Sequence, residues 1–513
     1  MNRKLDWPAL LLFAALLFGA ILRFWPAFTN GFPLNDGGMF YTMILDLKAN
    51  HYLLPEFTHY NTANIPFAYP PLGFYIAALL SGLLPVSVLG ILLWLPALIN
   101  TLSILAFYKL AEEILGSRPF AALAVVIYAF TPGTFVWQVM GGGITRAFGM
   151  LFLLLFLWQA YKLFNSSNSN LILTILFGAG AVLSHPQTAL HAALGGALIF
   201  LFFGLNKRGA LSALITGVGV IVLTLPWWGV VLTRYGTEPF ISAGQTSQRT
   251  LESYLEILKF GGIEDYLFIP TLLFVMIGLW NKFSRREYFL VSWALLAVLI
   301  DPRGGDAITL LALAMFAGIG LHKLSAWISR SDGQQAEAVF TKRGVQVLLF
   351  IFVLYSVMGA SIFDFMLLNT SLKPEDLKMI EWVKSNVEGE KTFLLSTGRE
   401  FSMSDPMQEW FPALTGQYSV TTMQGLEWTL GENFFPWYGQ LTAFQYCPDV
   451  NCVSEWSARN HVDYDYLVVT IPSKDEKGKL ADALRGLAVS VRSSDSYSLV
   501  YETKNALVFE VTK

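Results

Sequence analysis

The feature that most restricts this chain is a series of twelve apolar stretches that fills its first 365 residues. They lie at roughly 8–27, 70–85, 88–111, 119–138, 146–164, 170–184, 186–204, 209–232, 265–281, 286–301, 306–326 and 344–365. A helix needs about 20 apolar residues to cross the hydrocarbon of a bilayer, and most of these stretches approach that length. Composition agrees, since 54% of the 513 residues are hydrophobic and only 14% are charged, far from the balance of a soluble protein. The chain reads as a multi-pass protein whose first partner is the lipid bilayer.

The net charge of -3 and the scatter of basic residues through short loops leave no patch for nucleic acid, which is set aside as a partner. The opening "MNRKLDWPALLLFAALLFGAILRFW" has the basic start of a signal peptide. Its apolar run is too long for one, however, and no small-x-small cleavage site precedes Trp25. It reads as a retained first span.

Loop charge sets the orientation. The basic connections "MNRK", "NKRG" near 206, "NKFSRRE" near 281 and "TKRG" near 341 belong on the cytoplasmic side by the positive-inside tendency. Counting back from "TKRG" places the C-terminal region outside, together with "DPRGGD" at 301, the loop at 233–264, "SHPQ" at 184 and "GGGITR" at 141. The stretch at 70–85 is short and begins "YPPLGFY". Treating it as a full span would reverse the N-terminus, so it is expected to be a shallow helix. The fold expected is a polytopic α-helical membrane protein of about 11–13 transmembrane helices, eleven by this count, with its N-terminus in the cytoplasm of a cell bounded by that membrane.

After residue 367 the pattern changes. "LKPEDLKMIEWVKSNV" has helical periodicity with Pro and acids in its first turn. "KTFLLSTG", "DYDYLVVTIP", "SYSLVYET" and "NALVFEV" read as strands, with "KGKLADALRGLAV" as a helix between them. Residues 1–367 are thus expected to form the transmembrane domain, with a first outer loop at 28–69, and 368–513 a soluble extracytoplasmic α/β domain. The two cysteines, Cys447 and Cys452 in "YCPDVNC", can close a short disulfide in an oxidising compartment or stay as thiols.

The polar residues at membrane edges collect on the outer side: Asp36, Glu56, His59, Arg146, His185, Arg234, Glu238, Arg249, Asp301, Arg303 and Asp306. Charged groups beside hydrocarbon are costly and tend to line cavities or substrate paths. An outward-facing polar cavity is expected.

Here the sequence resembles a family. An opening span, an early Asp beside an aromatic helix ("NDGGMFYTMILDL"), then "YPPLGFYIAALL", many spans and a C-terminal domain resemble the C-type glycosyltransferase (GT-C) superfamily. That superfamily includes oligosaccharyltransferases, protein mannosyltransferases and aminoarabinose transferases. The stretch "EWFPALTGQYSVTTMQGLEW" at 409–428 is similar to an element of uncharacterised prokaryotic membrane proteins near these enzymes. The resemblance implies transfer of a sugar from a polyprenyl-phosphate-linked donor to an extracytoplasmic acceptor, whether lipid, glycan or protein. It also implies that Asp36, matching the family's essential first-loop Asp, is the base of an inverting single displacement.

Topology adds Arg146 and Arg303 as donor-phosphate partners, because a guanidinium engages two phosphate oxygens at once. Tyr41, Glu56, His59, His185, Glu238, Trp410, Glu427 and Trp428 are candidate acceptor or sugar contacts. Each has a plainer reading. Asp36 can be the N-cap of the following helix, Arg146 a headgroup anchor, Arg303 the partner of Asp301, and His185 an interhelical bridge. Glu56 and His59 fit a solvated loop, and the Trp-rich stretches a packed interface. Oligosaccharyltransferases carry a second acidic motif that holds a divalent metal, where this chain has "GGGITRAF", and their "WWD" signature is absent. No metal or other cofactor is therefore expected to be required. Two rival readings are a transporter or flippase of a lipid-linked substrate, and an inactive glycan-binding relative.

Overall fold

The structure is a computed structural model that describes residues 6–165, 169–246, 268–301, 305–330, 336–473 and 475–512. Arg249 and Arg303 lie outside the described residues.

The chain opens with α1 (Trp7–Asn30), capped by the Asp6 carboxylate, which accepts from Ala9 N at 3.1 Å. It ends at Gly31, whose φ of 65° is the left-handed conformation glycine adopts without a Cβ clash. A loop region follows, built from α2 (Gly38–Ala49), the two-residue strands β1 (Phe57–Thr58) and β2 (Ile65–Pro66), and α3 (Leu72–Leu83). At 12 residues α3 measures about 18 Å, too short to cross, as expected for 70–85. The helices α4 (Val88–Leu115), α5 (Arg118–Phe130), α6 (Val136–Val139), α7 (Gly143–Asn165), α8 (Leu171–Ser184), α9 (Pro186–Phe203) and α10 (Lys207–Tyr235) come next, followed by the short α11 (Glu238–Gln245). The bundle closes with α12 (Phe268–Ser284), α13 (Phe289–Ile300), α14 (Gly305–Ile328) and α15 (Arg343–Leu367).

Among the described residues, seven helices are long and apolar enough to cross a membrane, those beginning at Trp7, Val88, Gly143, Pro186, Lys207, Gly305 and Arg343. Helices α5, α8, α12 and α13 are shorter, at 13, 14, 17 and 12 residues. The stretch expected at 119–138 stops at Phe130, because Pro132 drives Thr131 out of the helical region, and a 3-10 turn and α6 complete it. Helix α14 is the centre of the bundle, with 78% of its apolar window buried, whereas α10, at 17%, is perimeter.

Close backbone approach packs the centre. A Cβ on Gly278 of α12 would meet Phe316 O at 1.9 Å, and one on Gly320 of α14 would meet Phe274 O at 1.9 Å, so small residues let these helices touch directly. Arg23, 1% exposed, ties α1 to its neighbours. Its Nη1 donates to Gly19 O and Ala129 O at 3.0 and 2.9 Å, and its Nε donates to the Asn100 side chain of α4.

The two ends of the bundle differ. At one, the ion pair Asp6–Arg118 (3.0 Å) joins the starts of α1 and α5. At the other, the loop region meets the second domain, which comprises α16 (Pro374–Asn386), β3 (Thr392–Ser396), α17 (Pro406–Thr415), β4 (Tyr418–Ser419), α18 (Phe434–Gln445), α19 (Val450–Asn460), β5 (Tyr466–Thr470), α20 (Lys479–Arg492), β6 (Tyr497–Glu502) and β7 (Ala506–Val511). The sheet order is β4-β3-β5-β7-β6. Strand β3 pairs in parallel with β4 and β5, and β7 runs antiparallel to both β5 and β6.

Alternation along the strands sends the two faces of the sheet to different cores. Leu394, Leu467, Val469, Leu507 and Phe509 pack with Leu484, Leu487, Phe444 and Trp456. Phe393, Leu395, Val468 and Val508 pack with Met379, Val383, Trp410 and Phe411, and this second core continues without a break into Met39, Phe40, Ile44 and Phe74 of the loop region. At the sheet edge, the Asn61 side chain donates to Ser419 O (2.9 Å) and accepts from Ser419 N (2.7 Å), which satisfies edge groups that would otherwise be unpaired. Cys447 and Cys452 form a disulfide between α18 and α19, with Cα atoms 5.4 Å apart.

Candidate active site

The site is built where the loop after α1 crosses the start of α7. Asp36 is 4% exposed. It does not cap α2, because the N-cap there is Gly37, which makes no side-chain cap. The Asp36 carboxylate turns instead to α7. Its Oδ1 accepts from Gly142 N at 2.9 Å, and its Oδ2 accepts from Arg146 Nη2 at 2.6 Å. A helix N-terminus attracts negative charge through its unpaired N–H groups, so Asp36 caps a helix distant in sequence while remaining paired to a cation.

Two of the three glycines in the run before Arg146, Gly141 and Gly142, make room for this docking, while the third, Gly143, packs against Gln138. A Cβ on Gly141 would meet Asp36 O at 2.0 Å, and one on Gly142 would meet Asp36 Oδ2 at 2.5 Å. Gly141 N also donates to Leu34 O at 2.9 Å. Arg146 lies in the first turn of α7, its guanidinium 5.4 Å from the centroid of the Trp137 ring, with Nη1 directed at Trp137 O (3.4 Å). Its side chain keeps 26% exposure against 6% for Asp36, so the guanidinium is the more open member of the pair.

The sheet domain supplies the opposite wall. Glu409 Oε1 accepts from Gly37 N (3.1 Å) and Met39 N (3.0 Å), and Trp410 Nε1 donates to Asn35 O at 2.9 Å. Tyr60 OH donates to Glu409 O at 2.7 Å. Burial, with the Asp36 charge as the second cause, pushes the Glu409 carboxyl up to about 8, which keeps it protonated at neutral pH. The neutral Glu409 thus stands beside the Asp36–Arg146 pair, holding the backbone N–H groups on either side of Gly38.

Beside this pair, Tyr69 OH lies 3.4 Å from Thr145 Oγ1, and its ring stands edge-on to His185 (6.1 Å) and Trp428 (5.7 Å). Desolvation and the Arg146 charge push the His185 imidazole down to about 3, so it is neutral. His191 Nε2 and Asp301 Oδ2, both buried, lie 3.3 Å apart.

The structure brings together Asp36, Arg146, His185, Glu427 and Trp428 and leaves other sequence candidates elsewhere. Trp410 is fully buried, and its indole packs on Phe32 and Tyr41, so it offers no face to a sugar and belongs to the interdomain contact. Trp428 is 5% exposed and in the same core. Glu427 accepts from Gly425 N at 2.7 Å and offers its carbonyl to Ser242 of α11. Glu56 is exposed, and its carbonyl accepts from Phe67 N. Glu238 is exposed in the first turn of α11. His59 is exposed, its Nδ1 held 2.8 Å from Asp46 Oδ1, while Asp46 Oδ2 accepts from Thr58 and from His59 N. That cluster lies ten residues past Asp36, about 15 Å along α2, and fastens the loop.

Sequence reasoning missed Glu409 as a member of this site and read the glycine run only as the place of a missing acid. The first lies in the 409–428 stretch, but nothing local marks which of its acids turns toward residue 37. Among the described residues no three His, Cys, Asp or Glu side chains gather as metal ligands, and both Asp36 oxygens are taken by donors.

Comparison with known proteins bears on this geometry. Residues 68–229, from the end of the loop region through most of α10 and including Gly141–Arg146, match the family described as dolichyl-phosphate-mannose-protein mannosyltransferase. An uncharacterized protein of Lactococcus lactis subsp. cremoris (strain MG1363) is 29% identical over 117 residues, which span 23% of this chain and 19% of that protein.

Solved structures align over nearly the whole chain. ArnT from Cupriavidus metallidurans in the apo state aligns with a TM-score of 0.55 at 15% identity, covering 98% of this chain and 97% of ArnT. The archaeal oligosaccharyltransferase AglB from Archaeoglobus fulgidus, in complex with an inhibitory peptide and a dolichol-phosphate, gives 0.57 at 14% identity over 99% of this chain and 74% of AglB. Arabinofuranosyltransferase AftD from Mycobacteria gives 0.56 at 14%, covering all of this chain and 40% of AftD. The chain has the fold of the GT-C superfamily of membrane glycosyltransferases.

Proposed function

We propose that this GT-C chain is a glycosyltransferase that moves a sugar from a polyprenyl-phosphate-linked donor to an acceptor on the extracytoplasmic face of the cell membrane, by an inverting single displacement. The observation that carries the reading is the Asp36–Arg146 pair at 2.6 Å, seated at the N-terminus of α7 where an anion is favoured. The family match across α3 to α10 and the dolichol-phosphate in the AglB complex support a lipid-phosphate donor. The basic loops and the Cys447–Cys452 bond support a cytoplasmic N-terminus and an extracytoplasmic sheet domain.

In this mechanism Asp36 takes the proton of the acceptor's nucleophile as the new bond to the anomeric carbon forms. The bond from that carbon to the phosphate oxygen breaks, and its electron pair leaves on the phosphate. Arg146 meets that charge, because a guanidinium has five N–H donors and the contacts to Asp36 and Trp137 occupy only some of them. Preformed charge at the leaving oxygen stabilises the transition state without reorganisation. Arg303 is proposed as a second phosphate partner. No divalent metal is assigned, since both Asp36 oxygens already accept, one from a guanidinium and one from a backbone N–H.

The test is mass spectrometry of lipids retained by the gently extracted protein, comparing wild type with Asp36→Ala and Arg146→Ala. A polyprenyl-phosphate sugar kept by wild type and Asp36→Ala and lost from Arg146→Ala is expected, and its mass would name the sugar class. Bulk phospholipid alone in every variant would overturn the donor assignment and favour transport of another substrate.

A further inference from the structure

The sheet domain does more than cover the bundle. The backbone of Leu34–Met39 is gripped from three directions. From α7 come the bonds of Gly141 N to Leu34 O and Gly142 N to the Asp36 carboxylate. Beyond the end of α15, Thr370 O accepts from Asn35 N at 2.8 Å. From α17 come Glu409 Oε1 on both Gly37 N and Met39 N, and Trp410 Nε1 on Asn35 O. The fit leaves no slack, because a Cβ on Gly38 would meet Glu409 O at 2.2 Å and one on Gly37 would meet Gly141 backbone at 2.9 Å.

Gly37 carries φ of 129°, a conformation open to glycine and few other residues. Its N–H, next in the chain to Asp36, finds its partner on Glu409. A buried N–H without an acceptor is costly, and the Glu409 side chain supplies the acceptor here.

We propose that Glu409 is a positioning residue, through which the sheet domain fixes the backbone turn that seats the Asp36 carboxylate against α7. The inference rests on Asp36 being the working group of the site, but its structural content can be tested without any transfer assay. The acceptor function needs an oxygen at the end of a side chain of this length. Glu409→Gln retains it, whereas Glu409→Leu removes it while keeping an apolar body of similar bulk.

The experiment is hydrogen–deuterium exchange on the full-length protein in nanodiscs, combined with carbodiimide labelling of Asp36. In Glu409→Leu, amide exchange across 34–41 is expected to rise about tenfold or more and Asp36 labelling to increase. In Glu409→Gln both should stay near wild type, with peptides 392–396 and 466–470 of the sheet protected in each variant. Unchanged exchange at 34–41 in Glu409→Leu, or equal loosening in Glu409→Gln, overturns the proposal.

If Glu409→Leu unfolds the sheet, Glu409→Asp decides, since it keeps a carboxyl group but withdraws it by one methylene from Gly37 N and Met39 N. Loosening at 34–41 with the sheet still protected supports the clamp, and none refutes it. Failure here leaves the retained-lipid result untouched, so the positioning role and the donor assignment are separable.

Discussion

Asp36 and Gly142 are so closely matched that a single methyl group on Gly142 would overlap the carboxylate, at 2.5 Å from Oδ2 and 2.8 Å from Oδ1. Gly142→Ala must therefore displace the Asp36 side chain while leaving the bundle core intact. Sugar transfer is expected to fall at least about 100-fold, the scale of a 1 Å misplacement in a catalytic site. Melting temperature should fall by only a few degrees, and a scan beside a transfer assay with the retained donor measures both.

Arg146 makes a second, independent prediction. Lysine can keep a charge near Asp36 but cannot reach Trp137 O and a phosphate with one planar fork. Arg146→Lys should retain part of the donor lipid, whereas Arg146→Ala should lose it, and transfer should be lower than wild type in both. Quantitative lipid mass spectrometry on the three proteins gives the order.

The protonation of Glu409 predicts a pH dependence. Its folded-state pKa is raised from 4.5 to about 8 by burial, then by Asp36, so the folded state holds a proton that the unfolded state has released. Between roughly pH 4.5 and 8 stability then falls as pH rises, and below that window the contribution is fully present. Asp36, Glu427, Arg146 and Tyr60 are the other groups that feel this carboxyl, and the amide in Glu409→Gln cannot titrate. Melting temperatures from pH 5 to 9 should decline in wild type by an increment missing from Glu409→Gln.

The disulfide predicts a modest local effect. Cys447 and Cys452 are five residues apart, and closing so short a loop contributes about 2 kcal/mol in the chain-entropy account. Protein purified without reductant should show no alkylatable thiol among these cysteines. Cys447→Ser with Cys452→Ser should lower the melting point of the sheet domain without dissolving the bundle, as proteolysis of the two halves would report.

Much of the fold was legible because membrane helices announce themselves by runs of apolar residues. The boundaries of α1, α7, α8, α9 and α15 lie within a few residues of the stretches at 8–27, 146–164, 170–184, 186–204 and 344–365. The strands at 392–396, 466–470, 497–502 and 506–511 likewise fall inside the stretches marked for them. Helices α18 and α19 did not show, since their aromatic and polar residues give no clean period.

The site was legible only in part. Asp36 and Arg146 stand at chain turns where topology alone brings them to one end of the bundle. The choice between cap and acid could not be made locally, because the helix that Asp36 caps begins 107 residues later, at Gly143. Glu409 was hidden for the same reason, being 372 residues from the N–H of Gly37 that it holds.

The core shared by the loop region and the sheet has a consequence for how the protein is made. Phe40, Ile44 and Phe74 are synthesised early, yet the surfaces that bury them include Phe393, Trp410 and Val508, which emerge from the ribosome only near the end of translation. Until the sheet domain is made, the first loop lacks the part of its apolar cover that this domain supplies, and a product truncated after α15 would keep it so. Maturation of residue 36 is thus a late event, because Glu409 and Trp410, which hold the backbone around it, follow the whole bundle in the chain.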